Sequence, residues 1–188
     1  HERHQPVAEI YQQRGSYECL GCPRQARNVA PGGYFLQDAW ARGLVIGVIA
    51  APDHAGGAGK AAVYAERNTR EAILEALRAR RTYGTTGARI VLDFRVNGAL
   101  MGEIAAPGGG ESVRVEVRVD GAGPLEAVEI LRAGSVAFRG ELGVRRCDLT
   151  FLDDPRPAGT YYYLRVTQRD GEMAWSSPVW LGRPERWP

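Results

Sequence analysis

The chain has 188 residues, of which 44% are hydrophobic and 24% charged, and 24 basic residues against 22 acidic ones leave a formal charge of +2. That length accommodates one or two compact units with a core. The charge is spread along the chain, so no basic stripe is available to bind nucleic acid by counterion release, and no apolar run approaches the roughly 20 residues of a membrane span. Neither nucleic acid nor membrane is therefore an expected partner. The sequence opens at His1 without methionine and without a charged-then-apolar leader. It reads as part of something longer, and its localisation is unreadable.

Val7 to Tyr11 reads as a short strand, followed by a polar, Gly- and Pro-rich stretch from Gln12 to Gly33 whose length suggests a functional or lid role. Within it Cys19 and Cys22 form a CxxC. Alone, that spacing leaves three options open: ordinary thiols in a loop, a disulfide or redox pair, or zinc, which wants a second pair. Tyr34 to Ala41 reads as a helix, with Phe35, Leu36, Ala39 and Trp40 at helical spacing and Gly43 placed to end it. Leu44 to Ala50 is a continuous, partly β-branched apolar run, as expected of a strand buried on both faces.

Immediately after it stand Asp53 and His54. An acid and an imidazole at the carboxyl end of a buried strand suit a divalent cation, since Asp offers a hard oxygen and neutral His a nitrogen, the mixed set used by Zn, Mn or Fe. Two ligands do not complete a site, and the sequence contains only three histidines, His1, His4 and His54. Glu9, at the end of the first strand and within reach of the same rim, is the third candidate ligand from this chain, and Glu18 belongs to the loop above that rim.

Ala61 to Ala65 is a short apolar segment. The next helix is the clearest in the sequence: Asn68 or Thr69 can cap it, Glu71 lies in its first turn, Ile73, Ala76 and Leu77 share a face, and Arg78, Arg80 and Arg81 crowd its end. From Arg89 onward the period changes to two. Ile90 to Val96 and Val113 to Val119 alternate as half-buried antiparallel strands do, and Asn97-Gly98 marks a tight turn. Further strands read at Ala127 to Arg132, Ser135 to Arg139, Cys147 to Phe151, Thr160 to Gln168 and Met173 to Trp180. Cys147 reads as a small buried hydrophobe. Tyr161 to Tyr163, Trp175 and Trp180 read as core and edge packing ahead of a ligand platform. Gly108 to Gly110 is a turn and not a phosphate loop, because no Lys-Ser/Thr and no helix follow it.

The segments Glu9 to Glu18, Arg42 to His54, Thr69 to Leu77, Arg81 to Thr86, Met101-Gly102, Tyr161 to Val166, Asp170 to Glu172 and Trp175 to Pro178 together resemble a large uncharacterised bacterial family, domain of unknown function 3604. That family in turn resembles the polymerase and histidinol phosphatase (PHP) superfamily of metal-dependent phosphoesterases. The seven or eight short strands after Arg89 read as an antiparallel immunoglobulin-like β-sandwich over residues 87–188, and the resemblance implies that residues 1–86 are the end of an incomplete PHP-like α/β barrel, giving an α+β chain. It also implies a hydrolase whose metals, held by His, Asp and Glu, activate water against a phosphorus centre. The superfamily's opening His-x-His is absent here, and its closing Asp-x-His is altered, because His54 directly follows Asp53.

Two functions follow as expectations. In the first, the chain is an inactive part of a metal-dependent hydrolase acting on a small-molecule phosphoester, with Asp53, His54 and Glu9 reaching a Zn, Mn or Fe cluster completed elsewhere. In the second it is a non-catalytic β-sandwich module for binding or structure. Open strand edges from a partial barrel also predict self-association through Leu44 to Ala50.

Overall fold

The structure is a computed structural model and describes residues 4–27, 32–54, 56–107 and 109–185. In chain order its first elements are β1 (Val7–Gln12), β2 (Gly15–Ser16), α1 (Leu36–Ala41), β3 (Gly47–Ala50), β4 (Lys60–Val63), α2 (Arg70–Arg78) and β5 (Thr82–Thr85). Then come β6 (Val91–Val96), β7 (Ala99–Leu100), β8 (Ile104–Ala105), β9 (Val113–Asp120), β10 (Leu125–Arg132), β11 (Ser135–Glu141), β12 (Arg146–Asp153), β13 (Tyr161–Gln168), β14 (Met173–Ser176) and β15 (Val179–Leu181).

The described residues form three sheets. The largest runs β11-β10-β13-β14-β5-β4, with β15 beside β13 and β8 parallel to β15. The second is β12-β9-β6-β7, and the third is β2-β1-β3. Strands β6 and β9 alternate buried and more exposed residues as their sequences predict. Their inward side chains, Leu92, Phe94, Val96, Val113, Val115, Val117 and Val119, meet Leu125, Val128, Ile130, Tyr162, Leu164 and Val166 of the large sheet in one core. Asn97 and Gly98, both at positive φ, close the β6–β7 hairpin in two residues, with Val96 opposite Ala99.

The other face of the large sheet is buried as well. Leu131, Tyr161, Tyr163, Met173, Trp175 and Trp180 pack there against Ile10, Leu36, Trp40, Val45 and Val48. Trp40 meets the rings of Tyr161 and Tyr163, and Tyr11 stacks on Trp175. The core reading of these aromatics is thus what forms, and each buried aromatic removes a large apolar area from water. Burial on both faces explains why Tyr161 to Val166 is buried without alternation.

The expected fold class is overturned. Among the described residues of 1–86 no piece of an α/β barrel forms: the one parallel pair of strands is β1–β3, supplemented only by an isolated parallel bridge from Ser16 to Gln25, and the helices α1 and α2 have six and nine residues. Strands β4 and β5 instead join the large, mainly antiparallel sheet, with β5 against β14. The arrangement is also not an immunoglobulin-like sandwich of residues 87–188. One of its sheets needs β4 and β5, and that sheet is covered on its second face by β1, β3 and α1. The physical reason is that a strand buried on both faces reads alike in a barrel and in the middle layer of three. Strand β5, Thr-Tyr-Gly-Thr, is wholly buried and carries no alternation that would announce it.

Local details follow the sequence more closely. Helix α2 is capped by the Thr69 side chain, which accepts from the Ala72 N–H, and it buries Ala76. Helix α1 starts two residues later than predicted, at Leu36, and Gly43 follows its end in the left-handed region. The apolar run Leu44 to Ala50 is strand only from Gly47. The run Met173 to Trp180 is split into β14 and β15, because Ser177-Pro178 interrupts it. Cys19 and Cys22 are bonded to each other, which resolves the CxxC as a disulfide; Cys147 is free and half-buried on β12.

Candidate functional site: the rim at the ends of β1 and β3

Because β1 and β3 are parallel, their carboxyl ends lie on one edge, and both chains leave the sheet there with polar residues. Ala51 and Pro52 carry β3 to Asp53, which adopts a left-handed backbone with φ 64°. Few non-glycine residues enter that region, and aspartate is among those that do. The Asp53 Oδ2 accepts hydrogen bonds from Arg14 Nη1 at 2.6 Å and from Gln12 Nε2 at 3.0 Å. Gln12 is oriented in turn by the Arg14 backbone N–H, which donates to Gln12 Oε1 at 2.6 Å. His54 Nε2 stands 3.5 Å from Asp53 Oδ1, with its ring 75% exposed.

The rim therefore joins Asp53 and His54, and it adds Arg14 and Gln12, which the sequence reading did not single out. Glu9 sits exposed on β1 opposite Ile49. It borders a shallow pocket with Gln12, Tyr17 and Tyr34, but no hydrogen bond or ion pair ties it to Asp53 or His54. The arrangement presents a carboxylate, an imidazole and a guanidinium on one edge, a set suited to holding an anion and exchanging a proton with it.

The divalent metal that the resemblance implies does not fit this donor set as it stands. A catalytic centre needs three or more converging ligands. Among the described residues no group of three His, Cys, Asp and Glu is so placed. The Arg14 guanidinium, 2.6 Å from the Asp53 carboxylate, also puts a positive charge where a cation would approach.

A second polar cluster lies beneath the loop of residues 17–27. Glu18 is fully buried and accepts from the Tyr163 hydroxyl, from Arg165 Nη1 at 2.9 Å and from Trp175 Nε1 at 2.8 Å. Arg165 Nε donates to Glu129 at 2.8 Å, and Arg139 reaches the same carboxylate at 2.9 Å. Burial alone would raise the Glu129 pKa, but the hydrogen bonds and charges of Arg165 and Arg139 outweigh it and hold the group below its ordinary value. Burial, then the charge of Glu18 and the hydrogen bond to it, push the Tyr163 hydroxyl well above its ordinary range. Glu18, Glu129, Tyr163, Arg165 and Trp175 are all hydrogen-bonded within it, so this network locks the loop to the sheet. The available signal was Arg165 itself, an arginine inside the apolar run of β13 that demands buried acids.

A third cluster centres on Asp153, at the end of β12. It accepts from Arg132 at 2.6 Å, Arg156 at 2.9 Å and the Tyr162 hydroxyl at 2.7 Å. Burial would raise its pKa, but the hydrogen bonds from Arg156, Arg132 and Tyr162 hold it far below the usual carboxylate range.

Comparison with known proteins gives similarity without a described activity. An uncharacterised protein of Chlamydia pneumoniae is 38% identical over 139 residues, covering 65% of this chain and 22% of that protein. Uncharacterised proteins of Chlamydia muridarum and Chlamydia trachomatis are 35% and 32% identical over the same length and coverage. The chain thus spans about a fifth of the length of these relatives. No solved structure matches it. Residues 42–102, from the turn before β3 through β7, match the model of a family described as a protein of unknown function, DUF3604.

Proposed function

We propose that this chain forms one wall of a hydrolytic site in a longer protein, acting on a small-molecule phosphoester, and that it is inactive by itself. The observation that carries this reading is the Asp53 carboxylate, held in a left-handed turn at the shared end of two parallel strands, with His54 beside it and Arg14 and Gln12 orienting it. Strained or sparsely populated backbone at the end of parallel strands is where functional groups gather. The phosphoesterase chemistry rests on the sequence resemblance to the PHP superfamily, and the barrel forms no part of the proposal. Because the Asp53, His54 and Arg14 set does not accommodate a cation as it stands, a Zn, Mn or Fe ion in the longer protein would take its ligands from outside this chain.

A non-catalytic binding or structural module is the second reading. One observation favours it: the Asp53 Oδ2 is already occupied by two donors, which is how a structural carboxylate is used.

The test uses a protein of the relatives' full length. On the hydrolase reading it binds a divalent metal stoichiometrically and cleaves p-nitrophenyl phosphate. Asp53→Ala and His54→Ala then lower kcat by roughly a hundredfold or more with the fold intact. Turnover unchanged in both variants, or metal-free inactive protein, assigns the chain to the module reading.

A further inference from the structure

The turn that carries Arg14 also forms one side of a cleft of about 540 Å³, lined by Tyr11, Gln13, Arg14, Arg24, Gln25 and Arg27 and by no acidic residue. The cleft is built by backbone pairing. Ser16 N–H donates to the Arg24 carbonyl at 2.6 Å, Ala26 N–H to the Ser16 carbonyl at 2.8 Å, and Arg27 N–H to the Arg14 carbonyl at 3.0 Å. Gly15 makes this close approach possible: its φ is 125°, and a Cβ there would stand 2.5 Å from the Arg24 carbonyl oxygen and 2.7 Å from the Ala26 Cα. The Cys19–Cys22 bond and the buried Glu18 fix the segment from its other end.

This scaffold sets three guanidinium-bearing residues around one concavity. Arg24 takes a left-handed backbone, with φ 54°, a conformation that costs an ordinary residue free energy. Its guanidinium carbon lies 6.0 Å from the centroid of the Tyr11 ring, which is held by stacking on Trp175. Arg14 is balanced by Asp53, whereas no carboxylate among the described residues forms an ion pair with Arg24 or Arg27. Asp170, in the turn beside Arg24, is close enough for the two charges to interact, but it does not line the cleft, whose charged lining residues Arg14, Arg24 and Arg27 are all basic.

We propose that the cleft binds a tetrahedral oxyanion, the phosphate or sulfate group of a small molecule, with Arg24 and Arg27 as its donors. Planar guanidinium groups match such oxygens through paired, charge-assisted hydrogen bonds. Arg14 connects the bound group to Asp53 and so places it beside the rim. The inference goes beyond the hydrolase reading, because anion capture requires neither metal nor turnover, and failure of that reading leaves it standing.

The experiment is calorimetric titration of this chain with inorganic phosphate and, separately, inorganic sulfate, at low and constant ionic strength so that screening is controlled. Saturable binding of at least one anion is expected, and the tighter of the two identifies the group. The double variant Arg24→Gln with Arg27→Gln is expected to weaken that binding about tenfold or more. Arg89→Gln, an exposed arginine on the strand-rich part of the chain, is expected to leave it unchanged. Absence of saturable binding for both anions, or equal weakening by Arg89→Gln, overturns the proposal. Both cleft arginines are exposed, so circular dichroism of the double variant is expected to match the parent.

Discussion

At the scale of single residues, the chain uses its buried charges as joints. Glu18 and Arg165 come from segments far apart in sequence, and each satisfies the other inside a nearly water-free layer. Removing one member of such a pair strands the other, which is why a half-complete network costs more than none. Asp153 offers the cleaner test, because its partners Arg132, Arg156 and Tyr162 are all identified. Its folded pKa is depressed relative to the unfolded value of about 3.9. The stability it contributes is therefore fully present above that value, and it is lost as pH falls through the folded pKa. Asp153→Asn is expected to cost about 1–3 kcal/mol near neutral pH. In urea titrations the gap between parent and variant is expected to narrow as pH is lowered below about 4. A gap independent of pH would show that the carboxylate's charge does not matter. None of these partnerships was visible in the sequence except through Arg165, since a buried acid and an exposed acid are spelled alike.

Among the elements, the packing of β3 on β5 determines where the rim stands. Thr82 Oγ1 donates to the Val48 carbonyl at 2.7 Å, and the Val48 N–H donates to Ser177 Oγ at 2.8 Å. Both backbone groups of Val48 are thereby used inside the molecule. Self-association through Leu44 to Ala50, which we retain as a proposal, would compete with these buried bonds at Val48. Gly84 makes the approach possible: a Cβ there would lie 2.9 Å from the Ala50 Cβ and 3.0 Å from the Ala50 nitrogen. Gly84→Val is expected to cost about 1–3 kcal/mol by overpacking, read as a lower urea midpoint. The same change at Gly109, where a Cβ would meet nothing within 4 Å, is expected to leave the midpoint in place. The existence of most strands and of both helices was legible from period, caps and turn residues. Strand β5 was not, because complete burial erases the alternation by which a strand is recognised.

Over the whole molecule, three layers share two cores, and the middle sheet belongs to both. A chain limited to residues 87–188 would lack β4 and β5 and would expose Tyr161, Tyr163, Trp175 and Trp180 to water. We expect that fragment to bind a hydrophobic dye and to unfold without a sharp transition, whereas the whole chain unfolds cooperatively. A cooperative, dye-silent fragment would show that the second core is dispensable.

The candidate site divides along the same line. Asp53 and His54 were legible because a carboxylate and an imidazole follow an apolar run, and chain connectivity alone keeps them adjacent. Arg14, Gln12, Arg24 and Arg27 were not, because hydrogen bonds between strands and loops bring them together, and no spacing in the sequence encodes those bonds. By itself the sequence determined what local forces control: the capped helix, the Asn-Gly hairpin, the alternating strands, and the absence of a basic stripe. Only the tertiary structure decided which strands pair, that the middle sheet is buried on both faces in place of a barrel, and that Glu9 stands apart from Asp53. Those outcomes depend on contacts between distant segments, where many pairings bury similar apolar area and close packing selects among them.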